Sequence, residues 1–306
     1  MFNSFNTTLI LLIFLSIIGY VLKNKEEDFS ENFENFSKYT LREDIDKIYN
    51  SFYSNIYDEL FNSATKNQFE IYNINLYTIS NKKDFNKNEV NFLDIGCGTG
   101  NHLKIIQSYK FNAVGLDNSK KMLVKARMNN ETSSLVKGDF HNRNIFKNRE
   151  FTHVTCFFFT IYYTNDVLKV FKNINYWLKP KGYMCLHLVD RNTFDPVLEK
   201  ASSLIPLFNP QKHTTKRQTK SKLVFNKFNY LSDWYFNKKG TVFEENILFK
   251  DNSKHIKNRH KLFIRQIPYY KKLAAKTGFI LHKIIDLTPV NHDHNYIYIF
   301  QKKYGE

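Results

Sequence analysis

Apolar side chains recur along this chain with three different periods. Residues 2–22 carry no charged side chain, and from Leu9 onward nearly every position is Leu, Ile, Phe or Val. A helix of roughly 20 apolar residues crosses a bilayer, so this stretch predicts an N-terminal transmembrane helix. Cleaved leaders open on basic residues and end on small ones. Here no Lys or Arg precedes Lys23, and Gly19-Tyr20-Val21-Leu22 is a poor cleavage site, so an uncleaved anchor is expected. Residues 24–40 show no clear period and read as a tether. Leu41, Ile45, Ile48, Phe52, Ile56 and Leu60 then recur at helical spacing behind Thr40, a possible N-cap, which predicts one amphipathic helix. A second helix is expected over 68–80 and a polar loop over 82–88.

The pattern changes at residue 92. Short apolar runs at 92–95, 111–116, 134–137, 151–159 and 183–189 alternate with helical patterns, beginning at 102–109 and continuing behind Ser119 and Asn165. Strands separated by helices of this length form a parallel sheet covered on both faces, so the fold class is α/β, doubly wound. Residues 192–265 break the alternation, with strands expected at 223–230, 241–249 and 254–264. They read as a β-rich insertion forming a cap over the substrate mouth. Pro268 and Gly278 bracket a last helix, and 279–287 with 296–302 form an antiparallel hairpin. The expected organisation is an anchor (1–24), tether and lead helices (25–88), a core (89–191), the cap (192–265) and a closing helix and hairpin (266–306).

Charge changes this picture little. The formal net charge is +16, a value that ordinarily points to nucleic acid or an anionic membrane surface. The Lys residues are scattered, however, in a chain uniformly rich in Lys, Asn, Ile, Phe and Tyr, so no nucleic-acid partner is expected. The one basic run, Lys212, Lys216, Arg217, Lys220 and Lys222, reads as a solvated loop. Lys23 and Lys25 follow the apolar stretch and nothing basic precedes it, which places the body of the protein on the cytosolic side. Cys97, Cys156 and Cys185 have neither pairing nor metal-ligand spacing and read as reduced structural thiols. His292-Asp293-His294 lacks a third ligand in view, so no metal site is expected.

The candidate chemistry sits where the first core strand ends, at Asp94-Ile95-Gly96-Cys97-Gly98-Thr99-Gly100. Three glycines allow a sharp turn into a helix and a close approach of backbone to ligand, and the helix start offers unpaired N–H groups. Dinucleotide sites read G-x-G-x-x-G, whereas this turn reads D-x-G-x-G-x-G. It closely resembles the first motif of class I S-adenosylmethionine (SAM) dependent methyltransferases. Trp177-Leu178-Lys179-Pro180-Lys181-Gly182-Tyr183 also resembles the helix–turn–strand found at this place in that fold, and the closing hairpin resembles its antiparallel strand. Together with Phe159-Thr160-Ile161-Tyr162-Tyr163 and His187-Leu188-Val189-Asp190-Arg191, these segments are similar to a group of membrane-anchored methyltransferases of large DNA viruses.

The resemblance implies a Rossmann-like methyltransferase sheet and SAM as cofactor. Asp94, Gly96, Cys97, Gly98 and Gly100 would form the cofactor turn. Asp117, with Asn118, would accept from the ribose hydroxyls, since an acid at the tip of the second strand can bond both. Asp139 would accept from the adenine amino group, Phe140 would wall the ring, and Tyr57 on the lead helix would close over it. The sequence departs from the family pattern at Thr152 and His153, where many relatives have an Asp, and lacks the Asn-Pro-Pro-Tyr motif of base N-methylation. Methyl transfer is an in-line displacement that needs alignment first and a base only if the acceptor must lose a proton. Candidates for such a base are His187, Asp190, Tyr162 and Tyr163. The expected activity is methylation of a small-molecule, lipid or protein acceptor near the membrane. A catalytically silent SAM-binding module and an RNA methyltransferase are the alternatives.

Overall fold

The computed structural model describes residues 12–17, 39–80, 89–132, 134–201, 217–237 and 240–303. Of the apolar stretch, residues 12–17 are helical and exposed. The rest of the expected transmembrane helix, most of the tether, and Lys212 and Lys216 lie outside the described residues. Among those described, no helix is long and apolar enough to cross a membrane.

Thr40 is not a helix cap but belongs to a strand, β1 (Thr40–Arg42). The single lead helix expected from the apolar spacing is two helices, α1 (Ile45–Ile48) and α2 (Ser51–Phe61). The break has a local cause. Asn50 stands in extended conformation and its side chain accepts from Phe52 N and Tyr53 N, starting a new helix in mid-pattern. Ser63 does the same for α3 (Ala64–Asn75), which runs into a single π-helical turn at Leu76–Ser80.

The alternation that follows is as the sequence predicts. The elements are β2 (Asn91–Ile95), α4 (Asn101–Ser108), β3 (Asn112–Asp117), α5 (Lys120–Asn129), β4 (Ser134–Lys137), β5 (Phe151–Cys156), α6 (Val167–Trp177) and β6 (Leu178–Val189). Asp166, one residue beyond the expected Asn165, caps α6 by accepting from Lys169 N. Next come β7 (Lys220–Val224), β8 (Phe228–Asn237), β9 (Gly240–Phe249) and β10 (His255–Leu262). The chain then closes with α7 (Ile267–Lys276), β11 (Phe279–Asp286) and β12 (Asn295–Lys302).

Seven strands form one sheet in the order β11-β12-β6-β5-β2-β3-β4. All core pairings are parallel except those of β12, which lies antiparallel between β6 and β11. β5 and the second half of β6 are buried on both faces, as parallel central strands are, the polar Thr152, His153 and Thr155 of β5 being hydrogen-bonded there. The strand order reverses between β2 and β5, and open α/β sheets bind ligands in the crevice beyond that point.

The insertion is a second sheet of order β1-β10-β9-β8-β7. The single strand expected over 223–230 is divided, because residues between Val224 and Phe228 turn and return antiparallel. The sheet's first strand comes from the far end of the chain: β1 pairs parallel with β10, Thr40 opposite Ile256. Arg217, expected in a solvated loop, instead lies over the rings of Phe194 and Phe236 at 4.4 and 4.0 Å and donates to the carbonyl of Arg191.

Three apolar clusters result, one on each face of the large sheet and one between α2 and the second sheet. Trp177 is fully buried in the first, its Nε1 donating to Arg143 O at 2.8 Å and its ring edge-on to Phe146. Trp177→Ala leaves a large void and an orphaned carbonyl, so urea denaturation is expected to show a loss of about 3–5 kcal/mol.

Candidate functional site

The glycine turn follows directly from β2. Gly96, Gly98 and Gly100 stand at φ +67°, +54° and +82°, a region closed to most side chains. Gly96 N and Cys97 N both donate to Leu116 O, at 2.7 and 3.1 Å, which ties the turn to the tip of β3. Asp117 completes the tie: one oxygen accepts from Gly98 N at 2.9 Å and the other from Ser119 N at 2.8 Å. Each glycine has a different role. A methyl at Gly96 would lie 2.4 Å from the Thr160 side chain, and one at Gly100 3.1 Å from Ala126. At Gly98 it would meet nothing nearer than 3.9 Å and would fill open space.

That space is a cavity lined by Tyr49, Tyr57, Gly96, Gly98, Asp117, Asn118, Asp139, Phe140 and Tyr163. A smaller one continues past the turn, walled by Asp94, Cys97, Gly98, Thr99, Lys66 and His102. A third, of about 930 Å³ and partly open to solvent, lies under the second sheet among Tyr49, Tyr57, Phe158, Tyr163, Trp234 and His260. Tyr57 and Thr160 border all three. The cavities therefore meet above the glycine turn.

Helix α2 is held over this junction by polar contacts. Asp58 accepts from Thr99 Oγ1 at 2.6 Å and from Asn101 Nδ2 at 2.8 Å, and Ser119 Oγ donates to Tyr49 O at 2.8 Å. Behind the smaller cavity, fully buried Glu70 pairs with Lys66 at 3.2 Å and His102 at 2.8 Å. Burial opposes its ionisation, but the Lys66 ammonium and His102 outweigh that and hold the carboxyl well below the usual range. Asp94 has no such partner. It accepts from Thr155 Oγ1 at 2.8 Å, and burial pushes its carboxyl up to about 6. Asp139 is half-exposed and accepts from both the backbone and the ring of His141.

The residues expected at the cofactor thus fall together, with one qualification. Gly100 lies behind the cavity wall, where it begins α4. The expected bases do not fall together. Tyr162 is packed in the core and accepts from Val189 N at 2.9 Å. His187 is buried against Asn295 and pushed down to about 3 by that burial. Asp190 caps a turn by accepting from Asn192 N. None of the three lines these cavities; of the four candidates only Tyr163 does. His292 borders the third cavity, and no group of three metal-binding side chains occurs among the described residues. Tyr49, Lys66, His102, His260 and Glu245 were not singled out by sequence. They reach the site from α1, α3, α4 and the second sheet, and no local motif marks them.

Residues 93–186 match the family model described as a methyltransferase domain. The chain is similar to the structure of an S-adenosylmethionine-dependent methyltransferase from Clostridium acetobutylicum, with 18% identity and a TM-score of 0.61 over 82% of this chain and 98% of that one. It is also similar to the CcbJ methyltransferase from Streptomyces caelestis, with 12% identity and a TM-score of 0.62 over 83% and 98% of the two chains. SAM-bound CalS10, an amino pentose methyltransferase from Micromonospora echinaspora, matches at 17% identity and a TM-score of 0.59 over 86% and 100%. No curated protein matches the sequence. Residues 93–186 thus match a methyltransferase domain, and the chain has the class I SAM-dependent methyltransferase fold. S-adenosylmethionine is the cofactor of that fold, and the open cradle at Gly98 beside a strand-tip carboxylate fits it.

Two outcomes follow from this geometry. Gly98→Val places a branched side chain in the cradle, so calorimetric titration with SAM is expected to show no binding while a circular dichroism spectrum remains native. Asp94 gains its proton more readily folded than unfolded, so its contribution to stability is complete below about pH 4 and lost as pH rises towards 6. Asp94→Asn removes that loss, and urea denaturation is expected to show the variant gaining on the parent across this window by on the order of 2 kcal/mol.

Proposed function

We propose that this protein is a SAM-dependent methyltransferase acting on a small molecule that enters the aromatic cavity under the second sheet. The observation that carries the reading is the meeting of that cavity with the glycine cradle at Tyr57 and Thr160. A cofactor held on one side of this seam and an acceptor on the other would stand in line across it, which is the main requirement of a direct displacement. The cofactor supplies a methyl group already activated on a sulfonium.

The chain supplies position and exclusion of water. The remaining lone pairs of Asp117 face the cavity side of the tip of β3 and would take the ribose hydroxyls. Asp139 and Phe140 would hold the base, and the Lys66, His102 and Asn101 side of the turn would receive the amino acid part. Tyr57, half-buried and bordering all three cavities, would roof the junction and keep solvent from the reacting atoms. Asp94 lines the smaller cavity past the turn and is held there by Thr155.

The apolar pattern of residues 2–22, with Lys23 and Lys25 behind it, supports a tether to a membrane with the catalytic body in the cytosol. Calorimetric titration of the purified chain with SAM and S-adenosylhomocysteine tests the cofactor reading. Tight binding of both, with label transferred from methyl-tritiated SAM into a mixture of small metabolites, is the expected result. Binding without transfer to any metabolite, lipid or protein fraction would instead identify a silent binding module.

A further inference from the structure

The aromatic cavity has an unusual charge for this chain. Lys and Arg make up 45 of 306 residues, yet neither type occurs among the described residues lining it. The Lys66 ammonium, 5.8 Å from the Phe158 ring, is already paired with Glu70. His292 borders the cavity, but burial pushes it down to about 4, so it is uncharged at neutral pH. Glu199 stands at the rim with its carboxylate half-exposed, and Asp195 lines the same side, near Arg217. The walls are rings of Tyr, Phe and Trp, whose faces attract cations.

A second negative charge lies beneath. Glu245 is fully buried and accepts from Tyr53 at 2.7 Å, Tyr230 at 2.6 Å, Asn258 at 3.1 Å and His260 Nε2 at 2.7 Å. Burial works against its ionisation, but His260 and the two phenols outweigh this and keep the carboxyl below its usual range. A carboxylate only accepts, so His260 Nε2 carries the hydrogen. The other nitrogen, Nδ1, is 2.7 Å from the Tyr163 hydroxyl, which is 2.8 Å from the Tyr49 hydroxyl. Where Nδ1 accepts, Tyr163 donates to it and Tyr49 donates to Tyr163. Tyr49 and Tyr163 both line the aromatic cavity and the cofactor cavity.

We propose that the methyl acceptor is an amine, received in the aromatic cavity as its ammonium ion and relieved of a proton through Tyr49 and Tyr163 to His260. The inference rests on the methyltransferase reading. An ammonium nitrogen has no lone pair, so it must lose a proton before it can attack. As its N–H bond gives way, Tyr49 takes that hydrogen and passes its own to Tyr163, which passes its own to His260 Nδ1. Neither phenol ionises, since partial burial pushes both hydroxyls well above their usual range. The lone pair so freed forms the N–C bond as the C–S bond breaks, the electron pair of the latter staying on sulfur. The imidazolium left on His260 is balanced by Glu245, a positioning residue that holds the ring and its tautomer. A hydroxyl or carboxylate acceptor carries no positive charge and would gain nothing from the cation-attracting rings or the rim carboxylates.

The test uses the full chain saturated with S-adenosylhomocysteine and three probes of one shape, benzylammonium, benzyl alcohol and benzoate, titrated by calorimetry. Benzylammonium is expected to bind at least tenfold more tightly than the alcohol, with no binding of benzoate. Glu199→Gln is expected to weaken benzylammonium threefold or more and leave S-adenosylhomocysteine unaffected. Equal or tighter binding of the alcohol or benzoate would overturn the inference and leave the cofactor reading intact. Failure of S-adenosylhomocysteine itself to bind would remove both. The relay has its own readout: nitrogen-15 spectra, with His260 assigned through His260→Asn, should show a neutral ring protonated at Nε2 at pH 7. An imidazolium at that pH, or a proton on Nδ1, would refute the proton path.

Discussion

A single buried carboxylate, that of Glu245, joins parts of the molecule that sequence keeps far apart. Its four partners come from α2, β8 and β10, so it fixes the lead helix against the second sheet by hydrogen bonds to a charge. Such a group is costly to bury alone and is tolerated when its bonding capacity is filled, as it is here. Through His260 and Tyr163 the same network reaches the turn after β5, and through Tyr49 it reaches Ser119 at the head of α5. The aromatic cavity exists because this network holds the second sheet and α2 at a set distance from the large sheet.

The glycine turn is organised by a different economy. Its three positive φ angles are stabilised by bonds to the neighbouring strand tip, where Leu116 O takes two N–H groups and Asp117 a third. Asp117 therefore orders the loop and offers the polar edge on which a nucleoside would rest. Phe158, at φ +48°, adds a strained non-glycine position between the aromatic cavity and the pocket behind the turn.

Much of this was legible in the sequence, for reasons that can be stated. The α/β core was read because its signals are local: a run such as Val154–Cys156 declares a buried strand, Pro268 and Gly278 declare helix ends, and the spacing of Asp94, Gly96, Gly98 and Gly100 declares a turn. The lead segment was misread because the apolar period from Leu41 to Leu60 continues unbroken while Asn50 interrupts the backbone. A cap bond outweighed the pattern. β1 could not be foreseen at all, since three residues become a strand only by pairing with β10. The catalytic candidates lie scattered for a related reason, and of the four only Tyr163 lines these cavities. His187 and Tyr162 stand at strand ends where a mouth is expected, but their side chains turn inward, and the groups that line the mouth arrive from the second sheet.

The parallel pairing of Thr40 with Ile256 has a consequence for biosynthesis. Chains fold as they emerge from the ribosome, with early segments available long before late ones. The segment holding the cofactor turn is complete once β5 has been made, whereas the strand that edges the second sheet must wait, unpaired, for β10. Distant pairings of this kind slow the final steps of folding. The nascent protein would thus possess its nucleotide cradle well before the chamber beside it has a roof, and a cofactor bound early could hold the first half in order while the second is still being synthesised.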